Sequence, residues 1–248
     1  MRRAGWDGLL MALALVHGGL LAVWPSIWFI ALGMWWNANT ISHNFIHSPF
    51  FRSRTCNAVF SAYLSMLLGV PQTLWRIRHL AHHAEISSDR SPPGRCLKPV
   101  AADVRRRIIL GEKAELSASS RWRLRILKRG LNIQLANELT LLLSLWGALA
   151  GWAPDFLLKT YLPGLALGLC LCQLQGHYEH VRGTVSHYGW LYNFLFFNDG
   201  YHVEHHLRPS EHWRQLPKRK QCGSRSSRWP AVLRFVEVLG LDSRRVQQ

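Results

Sequence analysis

The sequence predicts an all-α integral membrane protein with about four transmembrane helices, a re-entrant or interfacial segment and a cytoplasmic helical cap. Three observations support this class. Hydrophobic residues make up 48% of the 248 residues, and charged residues only 18%, below the roughly 25% of an average soluble domain. Charges are absent from several long stretches of the chain. Between those stretches, basic residues and histidines are concentrated in polar segments.

The first charge-free stretch covers residues 8–51 and is long enough for two helices. As an α-helix it would extend about 66 Å, which is roughly two crossings of a ~30 Å hydrocarbon core. We expect one span near residues 8–23 and a second near residues 26–47. Pro25 marks the turn between them, and Pro49 ends the second helix.

The next apolar run, residues 57–75, is short and is interrupted by Gly69 and Pro71. A re-entrant or interfacial hairpin therefore explains it as well as a full span does. Two further spans are predicted near residues 131–152 and 156–176, where long apolar runs return.

Basic residues outnumber acidic ones 30 to 14, which gives a formal net charge of +16. Most of them lie in residues 76–129 and 177–248, while the turns at the opposite ends of the predicted helices carry few. The positive-inside rule places these two regions and both termini in the cytoplasm. We expect a single membrane-embedded domain, residues 1–248, in a bacterial inner membrane rather than the endoplasmic reticulum. Basic residues that flank apolar spans explain the charge without a nucleic-acid partner.

Thirteen histidines are present, and most of them belong to four clusters. The clusters read HxxxH at residues 43–47, HxxHH at 79–83, HYEH at 177–180 and HxxHH at 202–206. Residues three or four positions apart share one face of an α-helix, so each cluster presents two or three imidazoles together. Each cluster also follows the cytoplasmic end of an apolar segment, so we expect the clusters to converge on one membrane face.

Imidazoles in this number and pattern predict a metal site within the cytoplasmic cap. The eight histidines of the HxxxH and HxxHH clusters, with one of His177 and His180, make nine. Nine ligands exceed the number that a single metal ion binds, so they suit two ions. Imidazole binds iron, zinc, copper and nickel ions. The adjacent carboxylates of Glu179, Asp199 and Glu204 are expected to orient ligand imidazoles through their second N–H group.

The remaining polar residues near the clusters have simpler interpretations. Asn198 is predicted to belong to a turn that caps the last histidine helix, with a water-mediated contact at the metal site as the alternative. His177 is interpreted as a neighbour of the site, with a ligand or substrate contact as the alternative. His17, His187 and His212 are predicted to be structural.

The HxxxH, HxxHH and HxxHH clusters, separated by hydrophobic hairpins, resemble the histidine boxes of the membrane fatty-acid desaturase/hydroxylase superfamily. The resemblance covers about residues 26–213. In that family the boxes bind two irons that activate O₂ at a lipid C–H bond, and an isolated histidine in the pattern HxxG completes the set. The resemblance implies two non-haem iron ions and the ligands His43, His47, His79, His82, His83, His180, His202, His205 and His206.

This resemblance implies an oxidoreductase, a di-iron acyl-lipid desaturase that uses O₂ at an unactivated lipid C–H bond. A hydroxylase or ketolase of the same superfamily, acting on a carotenoid, an alkane or another hydrophobic molecule, is the alternative. The sequence contains no Cys-rich iron–sulfur pattern, so a separate electron donor of the ferredoxin or cytochrome type is implied.

Two other classes of membrane protein compete with this interpretation. A haem-b electron carrier would place single histidines in the middle of its spans, whereas these histidines are clustered at helix ends. A divalent-metal transporter would place polar residues near the bilayer midplane, and the predicted spans offer few. The aromatic residues of 190–197 are predicted to form an interfacial belt, with a role at the substrate entrance as the alternative.

Overall fold

The computed structural model describes residues 4–88, 133–221 and 223–242. These parts of the chain are helical and contain no β-strand, which confirms the predicted all-α fold. Residues 89–129 of the predicted cytoplasmic region 76–129 lie outside the described residues. The described α-helices are α1 (Ala4–Val23), α2 (Ile27–Asn37), α3 (His43–His47), α4 (Arg54–Leu68), α5 (Gln72–Ser88), α6 (Ile133–Trp152), α7 (Pro154–Phe156), α8 (Leu162–His180), α9 (Trp190–Leu195), α10 (His202–Leu207) and α11 (Phe235–Val238).

Among the described residues, three helical segments are long and apolar enough to cross a membrane. They comprise Gly5–Val23, Ile133–Trp152 and Pro154–His180, of 19, 20 and 27 residues. The last of these is α7 and α8 joined without a break by a π-helical segment, Leu157–Tyr161. Helices α4 and α5 together supply a fourth candidate, and the total of three or four agrees with the predicted number of about four.

Helix α2 continues through a second π-helical segment, Ala38–Ser42, into α3, so that residues 27–47 form one continuous helix. This helix is not among the three apolar candidates, because its second half is rich in Asn, Thr, Ser and His. The apolar part, α2, has 11 residues. It is therefore about 16 Å long, roughly half of a hydrocarbon core. A complete span at residues 26–47 stays a prediction.

Helices α4 and α5 meet at an angle of 93°. The break between them contains Gly69, whose φ of 67° lies in the left-handed region that glycine adopts without a Cβ clash. Pro71 then begins the second arm, where its missing N–H leaves no hydrogen bond unformed. The interrupted run at residues 57–75 is thus a sharp bend, which fits a re-entrant hairpin or a broken span. The bend directs α5 and its histidines across the ends of the other helices.

Helices α2 and α8 pack closely through two glycines of α8. A Cβ on Gly164 would lie 2.9 Å from Cβ of Ile30, and a Cβ on Gly168 would lie 2.7 Å from Sδ of Met34. Small residues at such a crossing allow two membrane helices to approach, so that their dispersion contacts stabilise the pair. This contact holds the helix that ends in His47 beside the helix that ends in His180.

Candidate metal centre

Five histidines from three elements form one compact group of potential ligands. Helix α3 contributes the HxxxH pair, α5 two residues of its HxxHH cluster and α10 one residue. One nitrogen from each lies within 4.8 Å of the others in the group His43, His47, His79, His83 and His205.

A second group lies beside the first and is built from α5, the end of α8, and α10. Nitrogens of His82, His180 and His206 lie within 4.8 Å of one another, and so do ligand atoms of Glu179, His180 and His202. The Nε2 atom of His180 is 2.8 Å from Nε2 of His82 and 3.0 Å from Nε2 of His202. All nine histidines predicted as ligands therefore belong to one of two adjacent groups.

Within the first group, several imidazole nitrogens face one another at short distances. Nε2 of His205 lies 3.0 Å from Nε2 of His43 and 3.1 Å from Nε2 of His83. Nε2 of His79 lies 2.7 Å from Nε2 of His47 and 3.0 Å from Nε2 of His83. A neutral imidazole nitrogen carries either one N–H or one lone pair, so it cannot form a good hydrogen bond to two such neighbours. The donor set therefore fits a metal ion, whose charge all the lone pairs can share.

The π-helical segment Ala38–Ser42 directly precedes the first histidine pair. A π segment changes the register of a helix and leaves some carbonyl groups without their usual N–H partner. Side chains add hydrogen bonds in the preceding turn: Asn39 Nδ2 donates at 2.7 Å to the carbonyl of Trp35, which also accepts from the backbone N–H of Ala38, and Thr40 Oγ1 donates to the carbonyl of Trp36 at 2.6 Å. The polar second half of the helix thus stabilises the local register that directs the HxxxH imidazoles into the site.

Burial keeps the imidazoles of α10 neutral. Desolvation, followed by repulsion from neighbouring histidines, lowers the pKa of His202 and of His205 well below the usual value of an imidazole. The same two causes lower the pKa of His206. A metal binds the neutral form of histidine, so these side chains are in the required protonation state at neutral pH.

Asp199 contacts one histidine of the first group, His43. Its Oδ1 atom is 3.2 Å from Nδ1 of His43, the ring nitrogen that faces away from the histidine group. Glu179 is placed differently, because its Oε2 atom is 3.6 Å from Nε2 of His202. The carboxylate of Glu179 therefore lies among the ligand atoms of the second group.

Glu204 departs from its expected role. Its carboxylate accepts hydrogen bonds from Ser186 Oγ at 2.8 Å, from the hydroxyl of Tyr188 at 2.8 Å and from the backbone N–H of Gln221 at 3.2 Å. None of these three partners is a histidine. It fastens α10 to the loop between α8 and α9 and to the C-terminal segment instead, because in a short helix residue 204 faces away from residues 202, 205 and 206.

Asn198 and His177, for which the sequence allowed two interpretations each, both lie outside the histidine groups. Asn198 has a positive φ of 62° and donates from Nδ2 to the carbonyl of Trp213 at 3.2 Å, so it belongs to a turn. His177 is exposed and packs edge-on against Tyr178. His17 is buried in α1, with Nδ1 3.4 Å from Nδ2 of Asn37, and is far along the chain from any cluster.

Gln175 is a site residue that the sequence analysis missed. Its Oε1 atom accepts from Trp35 Nε1 at 2.7 Å, and its Nε2 atom donates to Glu179 at 2.9 Å and to Asp199 at 2.9 Å. The hydroxyl of Tyr192 donates to the same carboxylate of Asp199 at 3.0 Å. One signal for it was present: Gln175 is a polar residue in an apolar helix, four positions before Glu179.

A cavity of about 260 Å³ adjoins both histidine groups. Its wall includes His43 and His79 of the first group and His82, His180 and His202 of the second. The cavity lies between the π-helical segment, α5 and α8. A hydrophobic molecule in this space would contact both candidate metal positions.

The rest of the cavity wall is mixed in character. Ala38, Cys172 and Gly176 line its inner part, while Trp75 and Arg78 lie on α5. Arg78 is exposed and is the one Lys or Arg among the described lining residues. The cavity wall therefore combines apolar side chains with the polar side chains of the site, including the carboxylates of Glu179 and Asp199, and with one exposed cation.

Comparison with known proteins agrees with this site. The chain matches the sequence model of the family described as fatty acid desaturase over residues 18–222, which include all nine histidines. No curated protein and no solved structure matches the chain significantly. Since the matched segment covers most of the chain and carries the converging histidines, this protein belongs to the fatty acid desaturase family, the membrane desaturase/hydroxylase superfamily.

Proposed function

We propose that this protein is a membrane-bound di-iron desaturase that introduces a double bond into the acyl chain of a lipid. Membership of the family makes it an oxidoreductase of the desaturase/hydroxylase type with a lipid substrate in a membrane context. The more specific proposal, a di-iron desaturase, rests on one observation. Two groups of imidazoles lie side by side, and a single cavity adjoins both of them.

Two irons are proposed, one for each group. Imidazole nitrogen with carboxylate oxygen is a ligand set that suits iron, and the second group offers both through His180, His202 and Glu179. When bound, a pair of irons supplies the activation of O₂ that an unactivated C–H bond requires. Desaturation removes two hydrogens from adjacent carbons, and O₂ takes them up with two protons and two electrons to give two water molecules.

The side chains of this protein position the reaction and keep water away from it. The carboxylate of Asp199 accepts from His43 and is itself held by Gln175 and Tyr192, so the imidazole has a fixed direction. The buried side chains of α10 close one side of the site. The cavity between α5 and α8 leaves room for a slender chain beside the metals.

The cationic rim favours an amphiphilic substrate. An acyl chain in the apolar part of the cavity would place a carboxylate or phosphate headgroup near the exposed guanidinium of Arg78. A carotenoid or an alkane has no group to match this charge. The alternative activity, a hydroxylase or ketolase of a hydrophobic substrate, would use the same metal centre and differ only in where the substrate carbon lies.

The remaining features of the proposal concern the setting of the enzyme. Electrons come from a separate donor of the ferredoxin or cytochrome type. The protein forms one domain in a bacterial inner membrane, with both termini in the cytoplasm, as the distribution of basic residues favours.

Lipid profiling of a bacterial strain that expresses the gene tests the proposed reaction. The matched control is a strain that expresses the His205→Ala variant, which lacks one member of the five-histidine group. New unsaturated acyl chains that are absent from the control support desaturation. New hydroxylated or keto products with unchanged acyl unsaturation would support the alternative activity, that of a hydroxylase or ketolase, and contradict desaturation.

A further inference from the structure

A buried acidic residue in the membrane-spanning part of the molecule is not used by the metal centre. Glu138 lies in α6, in a segment apolar enough to cross a membrane, and its side chain is fully buried with 0% of its surface exposed. Ionisable residues are costly at such positions, and those that occur there usually serve a function. Its hydrogen bonds show what this residue holds together.

The carboxylate of Glu138 contacts both arms of the bend between α4 and α5. Oε1 accepts from Ser61 Oγ in α4 at 2.6 Å and from Thr73 Oγ1 in α5 at 3.0 Å. Oε2 accepts from the backbone N–H of Thr73 at 2.8 Å. Gln134, one turn earlier in α6, donates a fourth hydrogen bond at 2.8 Å.

The backbone contact at Thr73 is a helix cap supplied by another helix. Thr73 lies in the first turn of α5, where an N–H group has no carbonyl partner within its own helix. An acidic group at this end also interacts favourably with the helix dipole. Glu138 therefore fixes both the position and the direction of the start of α5.

A second connection ties the same end of α5 to the first histidine pair. The backbone N–H of Gln72 donates to Ser65 Oγ at 2.8 Å, and Ser42 Oγ donates to Oε1 of Gln72 at 2.7 Å. Ser42 is the residue before His43. The start of α5 is thus joined to the start of α3 on one side and to α6 on the other.

We infer that Glu138 is a positioning residue that sets the direction of α5 and thereby brings the second histidine box to the metal centre. His79 follows Thr73 by six residues, or about 9 Å along the helix axis. A rotation of α5 by about 10° at Thr73 would displace His79 by roughly 1.6 Å over that length. Metal sites and catalytic sites require their ligands within about 0.5 Å, so a small error in the bend removes the site.

The role in metal binding rests on the proposed function, but the geometry of the bend can be measured independently. Hydrogen exchange of the detergent-purified chain, followed by mass spectrometry, reports the protection of α5 amides, and metal analysis of the same sample reports ions per chain. The variants are Glu138→Ala, which removes all acceptors, and Glu138→Gln, whose carbonyl oxygen can still accept from Thr73. Leu143→Ala, at an exposed position of the same helix, is the control.

We expect Glu138→Ala to increase exchange at least tenfold in residues 73–83, to leave α1 and α8 unchanged, and to reduce the metal content by half or more. Glu138→Gln should restore both values to within about twofold of the parent, and Leu143→Ala should match the parent. Unchanged exchange in α5, or an equal increase throughout the chain, would overturn the inference.

If Glu138→Ala does not fold, Thr73→Val removes a single hydroxyl donor and keeps the backbone N–H. It should produce a smaller increase confined to residues 73–83, and no local increase in this variant would equally overturn the inference. Failure of the proposed function is distinguishable, because a chain that makes no unsaturated product can still show the local exchange effect.

Discussion

The Nδ1 atom of His43 lies 3.2 Å from Oδ1 of Asp199, although 156 residues separate the two in the chain. This contact directs the opposite nitrogen of His43 towards Nε2 of His205, which is 3.0 Å away. Asp199 is itself held by Gln175 and Tyr192. The direction of a candidate ligand in α3 is therefore set by a carboxylate between α9 and α10 and by an amide in α8.

Replacement of Asp199 by Asn should weaken the metal centre without unfolding the chain. An amide of the same size keeps the packing but loses the negative charge and one of the two acceptor oxygens, so it cannot accept from His43 on one side and from Gln175 and Tyr192 on the other. Loss of such partners typically costs about 10–100-fold in metal affinity or activity. Metal content and turnover after dialysis against a chelator measure the effect. The control is Asp155→Asn, which changes an exposed carboxylate at the start of α7. Equal retention of metal in both variants would contradict the prediction.

The two histidine groups predict about two metal ions per chain, natively iron. His47 belongs only to the five-histidine group, so His47→Ala should lower the content to about one ion and abolish turnover. Metal analysis of anaerobically purified protein provides the number of ions per chain. An absorption spectrum with haem bands, or a parent protein with a single ion, would refute the two-ion site.

The two histidines at the end of α8 should differ sharply in importance. His180 lies 2.8 Å from His82 and 3.0 Å from His202, whereas His177 is exposed outside both groups. His180→Ala should abolish turnover and reduce metal content, and His177→Ala should retain substantial activity. Parallel metal analysis and product measurement compare the variants, and the opposite ranking would show that the isolated ligand is His177.

Two glycines of α8 should respond differently to the same substitution. A Leu at Gly168 meets Met34 at the crossing with α2, and such overpacking costs about 1–3 kcal/mol. A Cβ on Gly176 would meet nothing within 4 Å, and Gly176 lines the cavity, so we expect a Leu there to occupy cavity space. Gly168→Leu should therefore lower the thermal unfolding temperature, while Gly176→Leu should keep it and lose activity.

Gly147→Leu, at an exposed position of α6 with open space around it, is the control for these two variants. Thermal unfolding in detergent and product formation are measured for all three. A Gly168→Leu protein as stable as the control would contradict the close contact of α2 with α8. Full activity of Gly176→Leu would show that the substrate does not pass this side of the cavity.

Removal of the charge at the cavity rim should affect substrates with an anionic headgroup. We expect Arg78→Gln to raise the KM for an anionic acyl lipid several-fold, with a smaller effect on a neutral one, because the charge-assisted contact is lost. Arg76→Gln is the matched control, since Arg76 is also exposed on α5 but does not line the cavity. Kinetics in vesicles of each lipid provide the comparison. An equal effect of both substitutions would show that the charge of Arg78 attracts the anionic membrane in general and does not bind a substrate headgroup at the cavity.

Local sequence was sufficient to predict the helical class, the approximate number of spans and the eight histidines of the HxxxH and HxxHH clusters, while the choice of His180 over His177 came from the family resemblance. Hydropathy acts over about twenty consecutive residues, and histidine spacing determines which imidazoles share a helix face, so both are readable without a fold. The bend between α4 and α5 was anticipated only as one of two alternatives. Its angle depends on the contacts of Glu138 and Ser65, which lie on elements outside the break.

Only the tertiary structure decided how the ligands are divided and what supports them. Spacing within one box cannot show that His79 and His83 join His43 while His82 joins His180, because that division depends on how separate helices cross. The glycines of α8, the 93° bend and the contacts of Gln175 set those crossings. The sequence by itself determined which side chains can bind a metal. Packing and hydrogen bonds between distant segments decided which of them lie together in one group, since these interactions form only when the helices meet.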